Sequence, residues 1–184
     1  MASDATLDRL LAAHHSAVEE FVDRAQRIDP GAWTIPRGAG KWTPAQEVRH
    51  VILAYATFVR DLRGGDGMRL VGTRWKRFFW RAIGLTSVVH FRKIPGGAPA
   101  PRELRPTDEN GSVTTLVTEL RERVAEFEAA FADCWRNAPR KQVTHAYFGS
   151  LSLRQSMAMV EVHTRHHAAF LAQSAPPLTG VSGV

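Results

Sequence analysis

Cysteine is nearly missing from this chain: Cys134 is the single one in 184 residues. One thiol excludes an internal disulfide framework and suits a reducing compartment. Long apolar runs are missing as well, and none approaches the ~18 residues that a membrane-spanning helix needs. The opening residues, M-A-S-D-A-T-L-D-R-L, lack a basic segment followed by an apolar core. The expectation is therefore no secretory signal and a cytoplasmic protein. No convincing strand pattern and no internal repeat can be found. Anionic charge is in the minority, and the net charge is +6. Most of the positive charge is scattered between carboxylates, as in R-E-R-V-A-E-F-E, which reads as an ordinary solvated surface. Residues Arg74 to Arg81, R-W-K-R-F-F-W-R, are the exception and concentrate cations with aromatics.

What the chain does have is helical periodicity, in four long stretches. The first spans about Ser3 to Ile28, with Leu7, Leu10, Leu11, Val18, Phe21, Val22 and Ala25 at helical spacing, and Asp29-Pro30-Gly31 ends it. The second opens on W-T-P-A-Q, where Thr43 caps, Pro44 suits the first helical position and Gln46 completes a capping box. It runs to about Arg63, before Gly64-Gly65-Asp66-Gly67. The third starts after Ser112 and reaches about Asn137. The fourth follows S-L-R-Q, where Ser152 and Gln155 repeat the capping-box pattern, and continues to about Gln173. The link from about Gly64 to Gly111 is too long for a bare loop. A short amphipathic helix from Trp75 to Leu85 is predicted inside it, and P-G-G-A-P-A-P should be extended. The fold class is all-α: a four-helix bundle with a long crossover between helices two and three. Residues 1–174 form one domain, and 175–184 read as a flexible tail.

The chemistry-bearing residues are histidines. In V-E-V-H-T-R-H-H, residues four apart lie ~40° apart around a helix axis, so His163 and His167 share a face. That face adjoins the apolar stripe of Met157, Val160, Thr164 and Leu171 and points into the bundle; His166 falls on its flank, toward the rim. Imidazoles at i and i+4 can reach a common ion, and a buried histidine can equally be satisfying a carbonyl. A firm site needs a third ligand, and His50 in E-V-R-H-V-I-L-A is the available one. It lies off the apolar arc of its helix, on a face with Glu47, Ala54, Thr57 and Asp61. That face suits either a polar groove or solvent. Glu47, one turn before His50, is a candidate orienter or a plain surface carboxylate. His145 reads as structural near the start of the last helix, Cys134 as a small core residue, and His14, His15 and His90 carry no distinguishing signal.

K-W-T-P-A-Q-E-V-R-H, H-A-Y-F-G-S-L-S-L-R-Q and H-T-R-H-H together resemble the DinB-like (damage-inducible) four-helix bundle proteins, over most of the chain up to about Gln173. The resemblance implies a divalent metal ion, Zn2+ or Ni2+, on His50, His163 and His167. Relatives often carry a Gln three residues after the last ligand; here Phe170 stands there, and Gln173 follows three positions later.

An ion on three imidazoles with an open position would be electrophilic. The resemblance therefore implies a metal-dependent transferase, isomerase or hydrolase, with a low-molecular-weight thiol or a small electrophile as partner. Arg74, Lys76, Arg77, Arg81, Arg92 and Lys93 could hold carboxylates of such a partner, and Trp75, Phe78, Phe79 and Trp80 could wall an apolar pocket. The plainer reading of this segment is aromatics packed on the bundle and cations in solvent. The competing class is a non-catalytic metal-binding or stress-associated bundle, acting as a homodimer or through other proteins. A surface for nucleic acid or anionic lipid at R-W-K-R-F-F-W-R is the least favoured reading.

Overall fold

Three of the four long helices start at a side chain that closes the open first turn. The computed structural model describes residues 4–94, 99–107 and 111–174. Helix α1 is Asp4–Gln26 and α2 is Pro44–Leu62. At α2 the Thr43 hydroxyl accepts from the Gln46 amide (3.1 Å), and the Thr43 amide donates to the Gln46 side chain (3.0 Å). Ser112 opens α5, Val113–Asn137, and Ser152 with Gln155 repeats the reciprocal box at α6, Leu153–Ala172. Each such cap contributes about 1 kcal/mol. The start expected at Ser3 and the tail expected at 175–184 lie outside the described residues.

Around the bundle the order is α1, α6, α2, α5, so α1 lies diagonally opposite α2 and α5 opposite α6, while α2 and α5, joined by the long crossover, pack side by side. Phe21, Tyr55, Phe127, Phe131, Leu120 and Met157 fill the centre and are almost fully buried. A polar chain crosses this core. His14 donates from Nδ1 to Glu128 (2.9 Å) and accepts at Nε2 from the Tyr55 hydroxyl (2.8 Å), which lies 3.0 Å from the Thr164 hydroxyl. His14, unremarkable by spacing, thus joins all four long helices.

The crossover carries α3, Arg74–Phe79, one wide π turn, Trp80–Leu85, and α4, Thr86–Phe91. The short helix predicted over 75–85 is present and continues six residues further, to Phe91. Gly84 sits in the wide turn because the chain passes the Phe148 ring there; a Cβ would lie 2.7 Å from that ring. Of P-G-G-A-P-A-P, residues 95–98 lie outside the described residues.

One feature differs from the sequence reading. No strand is expected, yet β1, Gln142–His145, and β2, Gly149–Ser152, pair antiparallel with Val143 opposite Leu151. Four residues per strand are too few for an alternating pattern to stand out. The hairpin is held by tertiary groups: buried Asp61 accepts from the Thr144 amide (2.7 Å), and Arg81 donates to the Phe148 carbonyl (2.8 Å).

Candidate metal centre

Because α2 and α6 are neighbours, residues 113 positions apart in sequence can meet. The face of α2 that holds Glu47, His50, Ala54, Thr57 and Asp61 is buried along its length, which removes solvent as its surroundings. On α6, His167 is buried and His163 half-buried. The structure brings His50, His163 and His167 together, with one nitrogen from each within 4.8 Å of the others. The His50 and His163 Nε2 atoms are 3.0 Å apart.

Neighbouring groups decide which nitrogens face the cluster. His50 Nδ1 donates to the Leu104 carbonyl at 2.6 Å. Since a carbonyl only accepts, the neutral ring leaves its lone pair on Nε2. His167 Nδ1 donates to Glu47 Oε2 at 2.6 Å, so its Nε2 is likewise left as an acceptor. Glu47 Oε1 accepts in turn from Arg37 Nη2 at 2.9 Å. A lone pair 3.0 Å from another ring nitrogen is satisfied by a shared proton or by a shared cation. The donor set therefore fits a divalent ion: neutral imidazoles, each of two held by an outer acceptor.

Burial favours that neutral state. It is the main reason that His163 and His167 lie well below the usual imidazole range, and the neighbouring histidines add to the effect. His50 is lowered too, although the Leu104 carbonyl and Glu47 oppose the shift. Burial pushes the Glu47 carboxyl up, against the pull of the Arg37 hydrogen bond and charge.

Glu47 is a buried carboxylate and not a surface one, and the ring it orients is His167 on the opposite helix rather than His50 on its own. Arg37, in the loop before α2, carried no signal in the sequence. Its guanidinium stacks over Phe170 at 4.2 Å and donates to Gln173 Oε1 at 3.1 Å as well as to Glu47. Both positions noted at the end of α6 thus hold the arginine that holds the carboxylate. His166 stays outside the three-histidine cluster, with its ring edge-on to Phe170 at 4.4 Å.

The cluster borders a cavity of about 430 Å³. Trp42, whose ring lies 4.8 Å from that of His50, forms one wall. Trp80, Tyr147, Phe148 and Phe170 form others, and Lys41 is the one Lys or Arg among the described lining residues. Among the crossover aromatics only Trp80 contributes; Trp75, Phe78 and Phe79 are exposed. The crossover cations do not line it: Arg81 is bound to hairpin carbonyls and Arg92 pairs with Glu161. His145 is structural, as its position suggested, accepting the Tyr147 amide and stacking on Phe148 at 4.6 Å, but it also lines the cavity. Burial draws its imidazole down to about 4.

The family model of the DinB superfamily matches residues 13–171. No curated protein matches the chain. Two solved structures of a mycothiol-dependent maleylpyruvate isomerase, one of them a variant, superpose with TM-scores of 0.58 and 0.60 at 14% identity. They cover 90% of this chain, which spans 60% of the isomerase. YfiT from Bacillus subtilis, described as a probable metal-dependent hydrolase with an unusual four-helix bundle topology, superposes with a TM-score of 0.58. It is 13% identical, over 95% of this chain and 88% of its own. At such identities these likenesses speak for the fold.

Proposed function

The chain belongs to the DinB superfamily, and we propose that it is a metal-dependent enzyme whose ion is held by His50, His163 and His167. The observation that carries this reading is the meeting of three imidazoles, two buried and one half-buried, at the edge of a cavity large enough for a small molecule. A divalent ion bound there supplies a Lewis acid that lowers the pKa of a coordinated thiol or water. Zn2+ and Ni2+ both suit imidazole.

The protein's own groups would do the rest. Leu104 and Glu47 fix the tautomers of His50 and His167, so that Nε2 of each is free to ligate. Trp42, Tyr147, Phe148 and Phe170 exclude water and offer apolar area to a substrate. Lys41 supplies a single charge, suited to one carboxylate. The fit is to a small, mostly apolar electrophile with a thiol or water as nucleophile, in a transferase, isomerase or hydrolase reaction. The mycothiol dependence of one structural neighbour supports the thiol arm, and the description of the other as a probable hydrolase supports water.

Untagged protein should carry a near-stoichiometric divalent ion by elemental analysis. His163→Ala or His167→Ala should abolish it, while His166→Ala keeps most of it. A thiol-transfer assay on metal-loaded protein decides the class: metal-dependent turnover supports the enzyme, and loaded protein inert toward thiol and ester electrophiles alike supports the non-catalytic bundle.

A further inference from the structure

From Gly67 to Arg102 the sequence has no aspartate or glutamate, but it has six arginines and two lysines. This stretch includes the ridge formed by α3, the π turn and α4. Trp75, Phe78, Phe79 and Ile83 follow one another at spacings of three, one and four, which sets them along one helical side. They are 76%, 62%, 61% and 69% exposed, and Phe91 at the end of α4 is 70% exposed. Scattered apolar residues at a surface are ordinary, whereas five large ones on one short ridge are not. The other side of the ridge is accounted for: Leu85 and Val88 are buried on the bundle and Trp80 lines the cavity.

Charge narrows the choice of partner. Arg81, Arg92 and Arg77 are held by the hairpin, by Glu161 and by the Gly72 carbonyl. Arg74, Lys76 and Lys93 are exposed and appear in no ion pair among the described residues. A second copy of the chain would bring the same cations against them, with no carboxylate in the ridge to offset the repulsion. Nucleic acid would answer the cations but would leave Ile83 and much of the aromatic area without an apolar partner. An anionic bilayer answers both: acyl boundary for the aromatic and aliphatic side chains, phosphate for the flanking cations. No described helix is long and apolar enough to cross a membrane, so such a contact lies in the interface plane.

We propose that the α3–α4 ridge docks the protein on the surface of an anionic phospholipid bilayer, with Trp75, Phe78, Phe79 and Ile83 entering the head-group boundary and Arg74, Lys76 and Lys93 meeting lipid phosphates. Trp80 faces the other way, so the docked ridge and the cavity share a wall. The docking does not depend on the metal reading.

The test is flotation of the full chain with unilamellar vesicles of phosphatidylcholine alone or mixed with phosphatidylglycerol. Binding to the anionic vesicles should exceed binding to the neutral ones about tenfold or more and weaken with salt. Trp75→Ser combined with Phe79→Ser should cut it by roughly tenfold without changing thermal unfolding, since both side chains are solvent-exposed. Arg74→Gln with Lys76→Gln should remove about tenfold on anionic vesicles only. The proposal is overturned if the chain does not float with anionic vesicles, or if the apolar variant floats as well as the parent. It is equally overturned if the ridge variants instead abolish a dimer or duplex-DNA binding in a protein that ignores vesicles.

Discussion

Replacing Glu47 by Gln tests the part of the site that spacing did not reveal. The carboxylate is 1% exposed, and both of its oxygens are engaged by donors: His167 Nδ1 at 2.6 Å and Arg37 Nη2 at 2.9 Å. An amide of the same shape offers one acceptor and one donor, so one of the two neighbours must face a donor. A charge-assisted hydrogen bond contributes about 1.5–3 kcal/mol, and a neutral one about 0.5–1.5. The hold on His167 therefore weakens by about 1–1.5 kcal/mol, which is about tenfold in ion affinity. That agrees with the 10–100-fold range, roughly, for outer partners of metal-bound histidines. Fold stability should change less, by about 1 kcal/mol, because removing a charge whose burial is unfavourable offsets part of the lost bonding. Zn2+ affinity is read by competition with a chromogenic chelator, and stability by urea unfolding of the metal-free protein. Parental affinity in Glu47→Gln, alongside lost binding in His167→Ala, would refute the idea that this carboxylate orients the ring.

The other expectations concern the rest of the buried polar inventory. His14→Ala should destabilise the fold by about 2–4 kcal/mol in urea unfolding, since it opens a cavity and strips partners from the Tyr55 hydroxyl and Glu128. His145 has its imidazole lowered to about 4, so its contribution is complete above the ordinary value of about 6.5. That contribution is lost as pH falls through this window, because the unfolded chain takes up the proton first. His145→Gln should therefore lose less stability between neutral pH and the acid end of the window than the parent does. Cys134 is buried, its thiol is raised by burial and it lies against the Leu62 carbonyl. It should resist iodoacetamide in the native state and react once the protein is unfolded, as followed by mass spectrometry.

Much of the helical architecture was legible because its signals are local. Thr43 and Gln46, and Ser152 and Gln155, are three residues apart, and the caps they form depend on nothing beyond the first turn. The apolar stripes of α1, α5 and α6 follow the helical period. The hairpin at 142–152 was not legible, since two four-residue strands leave little pattern, and Asp61 and Arg81 hold it from elsewhere in the chain. Arg37 was silent for a similar reason: a loop arginine has no periodicity, and its partners lie far apart in the chain, Glu47 in the first turn of α2 and Gln173 just past the end of α6.

The chain by itself determined the four long helices, their caps and the pairing of His163 with His167 on one face, because neighbours in sequence set those features. The resemblance of its motifs named the third histidine, but spacing along α2 left His50 free to face a groove or water. Only the tertiary structure decided that, by seating α6 beside α2 and closing Leu104 and Trp42 over the ring. It also decided that Glu47 serves the helix opposite its own. The physical reason is common to both: a side chain's direction follows from its local backbone, whereas what it meets there is set by which helices the packing makes neighbours.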